Sequence, residues 1–334
     1  MTVRVGAIGV GMIGADHVRR LTRVLAGARV TAVSDVDTAR AAAVARSAGA
    51  RVHPTGAELV AAADVDAVLV ASWGPTHAEH VLAALAAGKP VFCEKPLAST
   101  TADCRRILAA EAAAGRRLVQ VGFMRRYDPA YRALKAVLDG GAIGPPLLFH
   151  SVHRNASVPA HYTSDMSITD TAVHDIDVSR WLLDDEIVAV DVRRPRRSGR
   201  APEGLSDPLL VLLETARGAL VDVEVSVSID YGYDIRGEVV GETGTAALAG
   251  GGDVVVARAG QRGRPVPPGW QERFARAYDL ELQDWVDAVA AGECRGPSGW
   301  DGYAATAVAD AGLRALATGS RTPVSLVDRP GIYA

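Results

Sequence analysis

Three polar side chains in the sequence could together assist the oxidation of an alcohol by a hydride acceptor. Lys95 lies between a strand-like apolar run and a proline, and Asp170 and His174 lie four residues apart in a segment with helical periodicity. Oxidation of a hydroxyl group needs a base, and histidine, with an unperturbed pKa of about 6.5, accepts protons near neutrality. A neighbouring carboxylate would orient the ring, and an ammonium group would stabilise the developing alkoxide. Lys95, Asp170 and His174 are therefore the candidate catalytic residues.

The segment around His174 is typical of an amphipathic α-helix over residues 170–183. Positions 170, 174, 177 and 181 recur at helical spacing, which places Asp170, His174 and Asp177 on one face. The competing structural explanation is a buried histidine satisfied by a helix-capping aspartate. A dinucleotide domain upstream, which would need a proton acceptor nearby, favours the catalytic interpretation.

A glycine-rich turn near the start of the chain has the spacing of a dinucleotide site. Gly9, Gly11 and Gly14 form G-x-G-x-x-G after the first strand-like run, a pattern that permits a tight turn, a close pyrophosphate and close packing of helix on strand. The next strand ends at Asp35, where a carboxylate would accept hydrogen bonds from ribose hydroxyls and repel a 2′-phosphate. NAD is therefore favoured over NADP, although Arg40 could accommodate that phosphate.

Two further segments follow strands of the same half. They are residues 72–77 and the triplet Glu94-Lys95-Pro96. Ligands of open α/β sheets bind beyond the carboxyl ends of the strands, so both segments should border the nicotinamide. The expected cofactor-binding residues are Gly9, Gly11, Met12, Ile13, Gly14, Asp35, Ser72, Trp73, His77, Glu94 and Lys95.

The first half of the chain has the pattern of repeated βαβ units. Almost wholly apolar strands are predicted at residues 3–10, 29–35, 67–72, 90–94 and 118–123, with helices at 13–26, 38–48, 77–87 and 101–114. Strands that are apolar throughout are covered on both faces. Residues 1–122 are therefore expected to form an α/β domain, a Rossmann fold with a doubly wound parallel sheet.

The pattern changes in residues 123–334. Longer strands, several alternating between apolar and polar residues, are predicted at 147–155, 187–192, 208–229, 235–248 and 253–258, with helices at 129–138, 170–183, 272–291 and 301–317. Alternation indicates an antiparallel sheet with one open face. We expect an α+β domain with a large, open, mainly antiparallel sheet. The last helix, at 301–317, either belongs to this domain or packs back on the first one.

Composition excludes several classes of protein. The chain has 334 residues, a length that favours two domains, and a formal net charge of −3. Its apolar stretches are far shorter than the ~20 residues of a membrane span, and the basic run at residues 193–200 has no aromatic residue for stacking on bases. Neither a membrane nor a nucleic acid is an expected partner.

The cysteines and the N-terminal residues bear on compartment and metal. Cys93, Cys104 and Cys294 are scattered and lack C-x-x-C spacing, which fits a reducing compartment and argues against a metal site. A strand-like run follows Met1 directly, without the basic stretch and cleavage site of a secretory signal. These features favour a cytoplasmic protein without a metal.

The sequence resembles the Gfo/Idh/MocA oxidoreductases over nearly its whole length. The G-x-G-x-x-G turn, the Glu94-Lys95-Pro96 triplet and the segment from Asp170 to His174 carry the resemblance. Residues 123–129, 153–155, 161–166 and 174–177 are similar to the inositol 2-dehydrogenase branch of that family. The later segments are much more specific than the glycine pattern.

The resemblance implies site residues and an assembly. Lys95, Asp170 and His174 would be the catalytic trio, with substrate contacts from Arg125, His153, Asp177 and Tyr233. A shift in strand pairing would turn Tyr231 inward instead of Tyr233. The open face of the second sheet would carry the contacts of a homo-oligomer, a dimer or a tetramer.

The expected activity is the NAD-dependent oxidation of a cyclic polyol, with myo-inositol and its 2-keto product as the leading pair. The lining residues supply many donors and acceptors at fixed positions, which a polyol requires. Another cyclitol, or a sugar or keto-sugar, is the alternative substrate. A catalytically idle NAD-binding regulator is the alternative of another class, and the desolvation cost of three idle polar groups argues against it.

Overall fold

The structure, a computed structural model, describes residues 2–249, 255–258 and 260–334. These residues fall into two compact units. The first runs to Met124 and also contains Tyr278–Thr306 and Val327–Ala334, and the second contains Arg125–Ala277 and Ala307–Leu326. The chain first passes between the units close to the expected boundary at residues 122 and 123, and its C-terminal part contributes to both.

A parallel sheet forms the centre of the first unit. Its elements are β1 (Val3–Ile8), α1 (Met12–Arg23), β2 (Ala28–Ser34), α2 (Thr38–Ala48), β3 (Arg51–Val52), α3 (Gly56–Ala61), β4 (Ala67–Val70), α4 (His77–Ala86), β5 (Val91–Glu94), α5 (Thr101–Ala114) and β6 (Val119–Gly122). The strand order is β3-β2-β1-β4-β5-β6. The predicted doubly wound parallel sheet is confirmed. Strand β3 and helix α3 were not expected, because both are short and the side chains of β3 are exposed.

Apolar burial explains this sheet. Strand β1 places Val5 and Ala7 in a fully buried cluster with Leu69 of β4 and Phe92 of β5. Trp285, from a helix near the C-terminus, completes the cluster. Strands β4, β5 and β6 are buried along their whole length, as expected for strands that are covered on both faces.

The second unit is built on a mixed sheet. Its elements are α6 (Pro129–Asp139), β7 (Pro146–Arg154), α7 (Ser164–Met166), α8 (Val173–Leu183), β8 (Ile187–Arg193), β9 (Leu209–Thr215), β10 (Leu220–Ser226), β11 (Asp234–Gly241), β12 (Thr245–Ala247), β13 (Val256–Arg258), β14 (Gln261–Gly263) and α9 (Trp270–Arg273). They are followed by α10 (Ala275–Ala291), α11 (Gly299–Thr318) and β15 (Thr322–Pro323). Of these last three, α10 lies mainly in the first unit, and α11 begins there and ends in the second.

Seven strands form the sheet of the second unit in the order β12-β11-β7-β10-β9-β8-β15. The pair β7–β10 is parallel and the other pairs are antiparallel, which confirms the large, mainly antiparallel sheet. The single strands expected at 208–229 and 235–248 are each two strands joined by a turn. Of the strand expected at 253–258, residues 253 and 254 lie outside the described residues.

Successive side chains of β7 alternate between the buried and the open face of the sheet, so only every second one can contribute to a buried site. Phe149, Ser151 and His153 are buried, whereas His150 and Arg154 lie on the opposite face. On that face Arg154 forms a bidentate ion pair with Glu224 of β10. Within the described residues, no helix combines the length and the apolar character needed to cross a bilayer.

The C-terminal segment is held to the first unit by a buried carboxylate. Glu111 of α5 accepts hydrogen bonds from the backbone N–H groups of Leu118 and Val119, at 2.6 and 2.9 Å, and from the phenol of Tyr333, at 2.6 Å. Burial raises the pKa of Glu111, and these donors oppose the shift. Tyr333 therefore supplies one of three donors to a group that water does not reach.

We expect Tyr333→Phe to lower the free energy of unfolding by about 1–3 kcal/mol, because it removes a donor from a buried carboxylate. Urea unfolding followed by circular dichroism measures the loss. Tyr231→Phe is the matched control, since Tyr231 is 49% exposed and water can replace its partner. Equal stability of Tyr333→Phe and the wild type would contradict the anchoring role.

Candidate active site

The glycine turn between β1 and α1 leaves open space where a phosphate would lie. A Cβ on Gly9, whose φ is +81°, would lie 2.3 Å from the backbone of Ser72, and one on Gly14 would lie 2.1 Å from the carbonyl oxygen of Gly9. A Cβ on Gly11 would meet nothing nearer than Arg40, at 3.9 Å. The first and third glycines are thus required by packing, and the second faces open space at the N-terminus of α1, where the backbone N–H groups of the first turn attract anions.

Asp35 lies at the end of β2, beside this turn. Its carboxylate accepts hydrogen bonds from the backbone N–H groups of Val10, at 2.7 Å, and Asp37, at 2.8 Å. A carboxylate has about four acceptor sites, so others are left for ribose hydroxyls. The guanidinium of Arg40 lies 3.6 Å from Asp35 and pairs with Asp37 at 2.9 Å. The glycine turn, the helix N-terminus and this carboxylate fit a dinucleotide without a 2′-phosphate.

We expect Asp35→Ser to lower the preference for NAD over NADP at least tenfold. The substitution removes the charge that repels a 2′-phosphate and leaves Arg40 without its contact to Asp35, 3.6 Å away in the native chain. The ratio of kcat/KM for the two cofactors measures the effect. In the Asp35→Ser background, Arg40→Ala should cancel the gain with NADP. An unchanged ratio in Asp35→Ser would contradict the role of the carboxylate.

His77 joins the two segments that follow β4 and β5. Its Nδ1 lies 2.7 Å from the carbonyl oxygen of Pro96 and its Nε2 lies 2.9 Å from that of Ser72. Burial lowers the pKa of His77, although both carbonyl groups and Glu94 oppose the shift. The ring is fully buried, so it supports the segments from within, whereas the side chain of Trp73 is 77% exposed.

Glu94 links Lys95 to the dinucleotide helix. Its carboxylate lies 2.6 Å from Nε2 of His17 in α1 and accepts the backbone N–H of Lys95 at 3.2 Å. His17 and Glu94 are buried, whereas Lys95 is half-buried. Glu94 thus fixes the backbone from which the Lys95 ammonium extends.

The helix that carries His174 begins differently from the expectation. Residues Ser167–Ala172 form a π-helical turn, and the regular α-helix α8 begins only at Val173. The single α-helical face expected for Asp170, His174 and Asp177 is therefore wrong at Asp170. A π turn has more residues per turn than an α-helix, so each residue rotates less around the helix axis. Gly312 of α11 explains part of the packing: a Cβ there would lie 2.9 Å from Ile168 in the π turn.

A buried ion pair lies behind this helix. The guanidinium of Arg125 donates to Asp175 of α8 at 2.6 Å and lies 2.8 Å from Nδ1 of His153. Asp175 also accepts from Ser151 and from Nδ1 of His153, each at 2.8 Å. Burial alone would raise the pKa of Asp175, but Arg125 and His153 hold it well below its usual range. Asp175 therefore remains ionised and fixes the ring of His153.

The sequence did not decide whether Tyr231 or Tyr233 points inward. In the structure Tyr233 is the buried one. Its hydroxyl lies 3.3 Å from Nε2 of His153, whereas Tyr231 is bonded to Asp234 and Arg154 on the open side. Burial raises the pKa of Tyr233 to about 12, so the phenol stays protonated. With the Nδ1 proton of His153 donated to Asp175, Nε2 accepts the proton of Tyr233.

The other two candidates on helix α8 are His174 and Asp177. The ring of His174 is 8% exposed and its centroid lies 6.2 Å from that of His153. Asp177 is fully buried and forms a bidentate ion pair with Arg126, at 2.9 and 2.5 Å. The structure thus gathers Arg125, His153, His174 and Tyr233 in the second unit, together with Asp175 and Ser151, which the sequence pattern did not single out. The alternation of β7 could have indicated this network, because it places two polar residues, Ser151 and His153, on the buried side of the strand.

Among the described residues, no group of three or more histidine, cysteine or acidic side chains could hold a metal ion. The first unit carries a dinucleotide turn and a conformationally fixed lysine, and the second carries a network of buried histidines and charges. These features define the class of the protein: a two-domain oxidoreductase that uses a nicotinamide dinucleotide.

Comparison with known proteins identifies the family within that class. Residues 3–123 match the model of an oxidoreductase family with an NAD-binding Rossmann fold, Gfo/Idh/MocA, and residues 135–326 match the C-terminal alpha/beta domain of the same family. The chain belongs to the Gfo/Idh/MocA oxidoreductases, which confirms the family expected from the sequence.

Individual relatives are similar over their full length. The chain is 59% identical to inositol 2-dehydrogenase 3 of Saccharopolyspora erythraea, covering 100% of this chain and 98% of that one. A crystal structure of myo-inositol dehydrogenase from Lactobacillus casei with NAD(H) and myo-inositol is 41% identical, with a TM-score of 0.97 and full coverage of both chains. A scyllo-inositol dehydrogenase of Lactobacillus casei with NAD(H) and scyllo-inositol is 26% identical, with a TM-score of 0.89 over 97% of this chain and 99% of that one.

Proposed function

We propose that the protein is an NAD-dependent inositol 2-dehydrogenase that oxidises myo-inositol to the 2-keto product. The observation that carries the proposal is the 41% identity and TM-score of 0.97 to a myo-inositol dehydrogenase crystallised with NAD(H) and myo-inositol.

The cofactor would be held by the glycine turn and by Asp35. The backbone N–H groups at the start of α1 would bind the pyrophosphate, and the Asp35 carboxylate would accept hydrogen bonds from the ribose hydroxyls. Met12 and Trp73, whose side chains are 71% and 77% exposed, extend beside these groups. NAD, when bound, supplies the acceptor of the hydride.

Three residues would carry the chemistry on the substrate hydroxyl group. His174 removes the proton, Lys95 donates a hydrogen bond to the oxygen as negative charge develops, and Asp170 orients the histidine. The residues implied as substrate contacts are Lys95, Arg125, His153, Asp170, His174, Asp177 and Tyr233; of these, Arg125 is proposed as a positioning residue instead of a direct contact. Because Arg125 is buried and bonded to Asp175 at 2.6 Å, its part is to hold His153 in place.

Formation of NADH across a panel of inositol isomers and sugars tests the proposal. myo-Inositol should give the highest kcat/KM, and NADP should give a lower value than NAD. Faster oxidation of another cyclitol or of a sugar would instead assign a related dehydrogenase activity. Binding of NAD without turnover of any member of the panel would assign the regulatory class.

We also propose a cytoplasmic homo-oligomer assembled through the open face of the second sheet. Support comes from the exposed apolar side chain of Leu220, which by strand alternation shares the open face with Glu224, the partner of Arg154. Light scattering after size exclusion measures the subunit number, and a dimer or a tetramer is expected.

A further inference from the structure

The π-helical turn that carries Asp170 is tied together by one buried phenol. The hydroxyl of Tyr162 donates to the carbonyl oxygen of Met166, immediately before the turn, at 2.8 Å. It also lies 2.5 Å from the hydroxyl of Thr171, the residue after Asp170. One side chain therefore bonds to the chain on both sides of Asp170.

The carboxylate of Asp170 also acts on this phenol. Burial, and then the charge of Asp170 and a hydrogen bond to it, raise the pKa of Tyr162. The phenol consequently remains protonated at physiological pH, and its single proton is shared between the carbonyl oxygen of Met166 and the carboxylate of Asp170. Thr171 is buried, so its hydroxyl depends on Tyr162 instead of water.

A π turn needs such support. π-Helical turns are rare, occur mostly as single turns and are frequent at functional sites. In this chain the turn sets where Asp170 projects relative to His174, which lies in the first turn of α8. A change in the turn would move Asp170 while leaving the sheet of the second unit intact.

We propose that Tyr162 is a positioning residue for the reaction, which holds Asp170 in place by fixing the π-helical turn of residues 167–172. The proposal rests on the function proposed above only in that Asp170 orients the catalytic histidine. Tyr162 bonds to Met166 and Thr171 and acts on Asp170 through the turn that these two bonds hold.

The test is Tyr162→Phe, which removes the hydroxyl group and keeps the ring. We expect kcat with myo-inositol to fall about tenfold, as the loss of one hydrogen bond to a charged group implies, with KM for NAD within twofold of wild type. In an Asp170→Asn background the same substitution should change kcat less than twofold. A kcat of Tyr162→Phe within twofold of wild type, or an equal loss in both backgrounds, would overturn the proposal.

Tyr333→Phe is the matched control, because it also removes a phenol from a buried carboxylate, Glu111. It should lower stability without changing kcat. A second readout does not depend on turnover: backbone amide exchange of residues 167–172, measured by mass spectrometry, should be at least tenfold faster in Tyr162→Phe and unchanged in Tyr333→Phe. Unchanged exchange in Tyr162→Phe would overturn the proposal even if wild type oxidises no inositol. Failure of the proposed function would appear separately, as absence of NADH formation by the wild type.

Discussion

His174→Ala is expected to lower kcat with myo-inositol by about 10²–10⁴-fold, the range that a general base contributes. The ring lies in the first turn of α8, beside His153, and has little access to water. Alanine removes the proton acceptor and leaves the dinucleotide turn of the other unit unchanged. The dissociation constant of NAD, measured by fluorescence titration, should therefore stay within about twofold of wild type.

His150→Ala is the matched control for this prediction. His150 lies on the opposite face of the sheet from His153 and pairs with Asp222, at 2.5 Å. Its loss should leave kcat almost unchanged. If His174→Ala weakened NAD binding as much as it lowered kcat, the general-base role would be wrong and a structural role for the histidine would remain.

The sequence predicts the first unit more completely than the second for a physical reason. Close packing at Gly9 and Gly14 and the position of Asp35 follow from local rules of chain geometry, and the structure places each where those rules put it. Strand bounds agree within a few residues because the apolar runs of a doubly wound sheet end where burial ends. The short β3 has no such signal, since its two side chains are exposed.

The second unit contains features that no local pattern encodes. The π turn at residues 167–172 is bonded by Tyr162 and packs against Gly312, and helical periodicity predicts neither contact. Asp175 follows His174 directly, yet its partners Arg125 and Ser151 come from other elements. A helical periodicity of 3.6 residues places Asp170 and His174 on roughly the same side of the helix. It does not show that the neighbouring Asp175 is the buried residue that holds other side chains in position.

Asp175→Ala is expected to lower the free energy of unfolding by about 3–5 kcal/mol, because it leaves the charge of Arg125 buried without its partner. Both side chains are almost inaccessible to water, at 1% and 0% exposure. The pKa of Asp175 is lower in the folded than in the unfolded state, where it is about 3.9. The carboxylate therefore stabilises the fold above about pH 4, and this contribution is lost as the pH falls towards the folded-state pKa. Urea unfolding at pH 7 and at pH 3 should show a smaller difference between variant and wild type at pH 3.

Two further variants separate the ion pair from a general loss of packing. Asp222→Ala removes a partially exposed partner of His150 and should cost at most about 1 kcal/mol. Arg125→Met combined with Asp175→Leu removes both charges, and such replacements are often neutral or stabilising, so the double variant should be more stable than Asp175→Ala. It should nevertheless lose activity, because His153 then lacks the carboxylate that fixes its Nδ1 proton and, through Nε2, the phenol of Tyr233. A double variant with wild-type kcat would show that the buried pair serves stability alone, and one as unstable as Asp175→Ala would assign the loss to packing instead of to the unpaired charge.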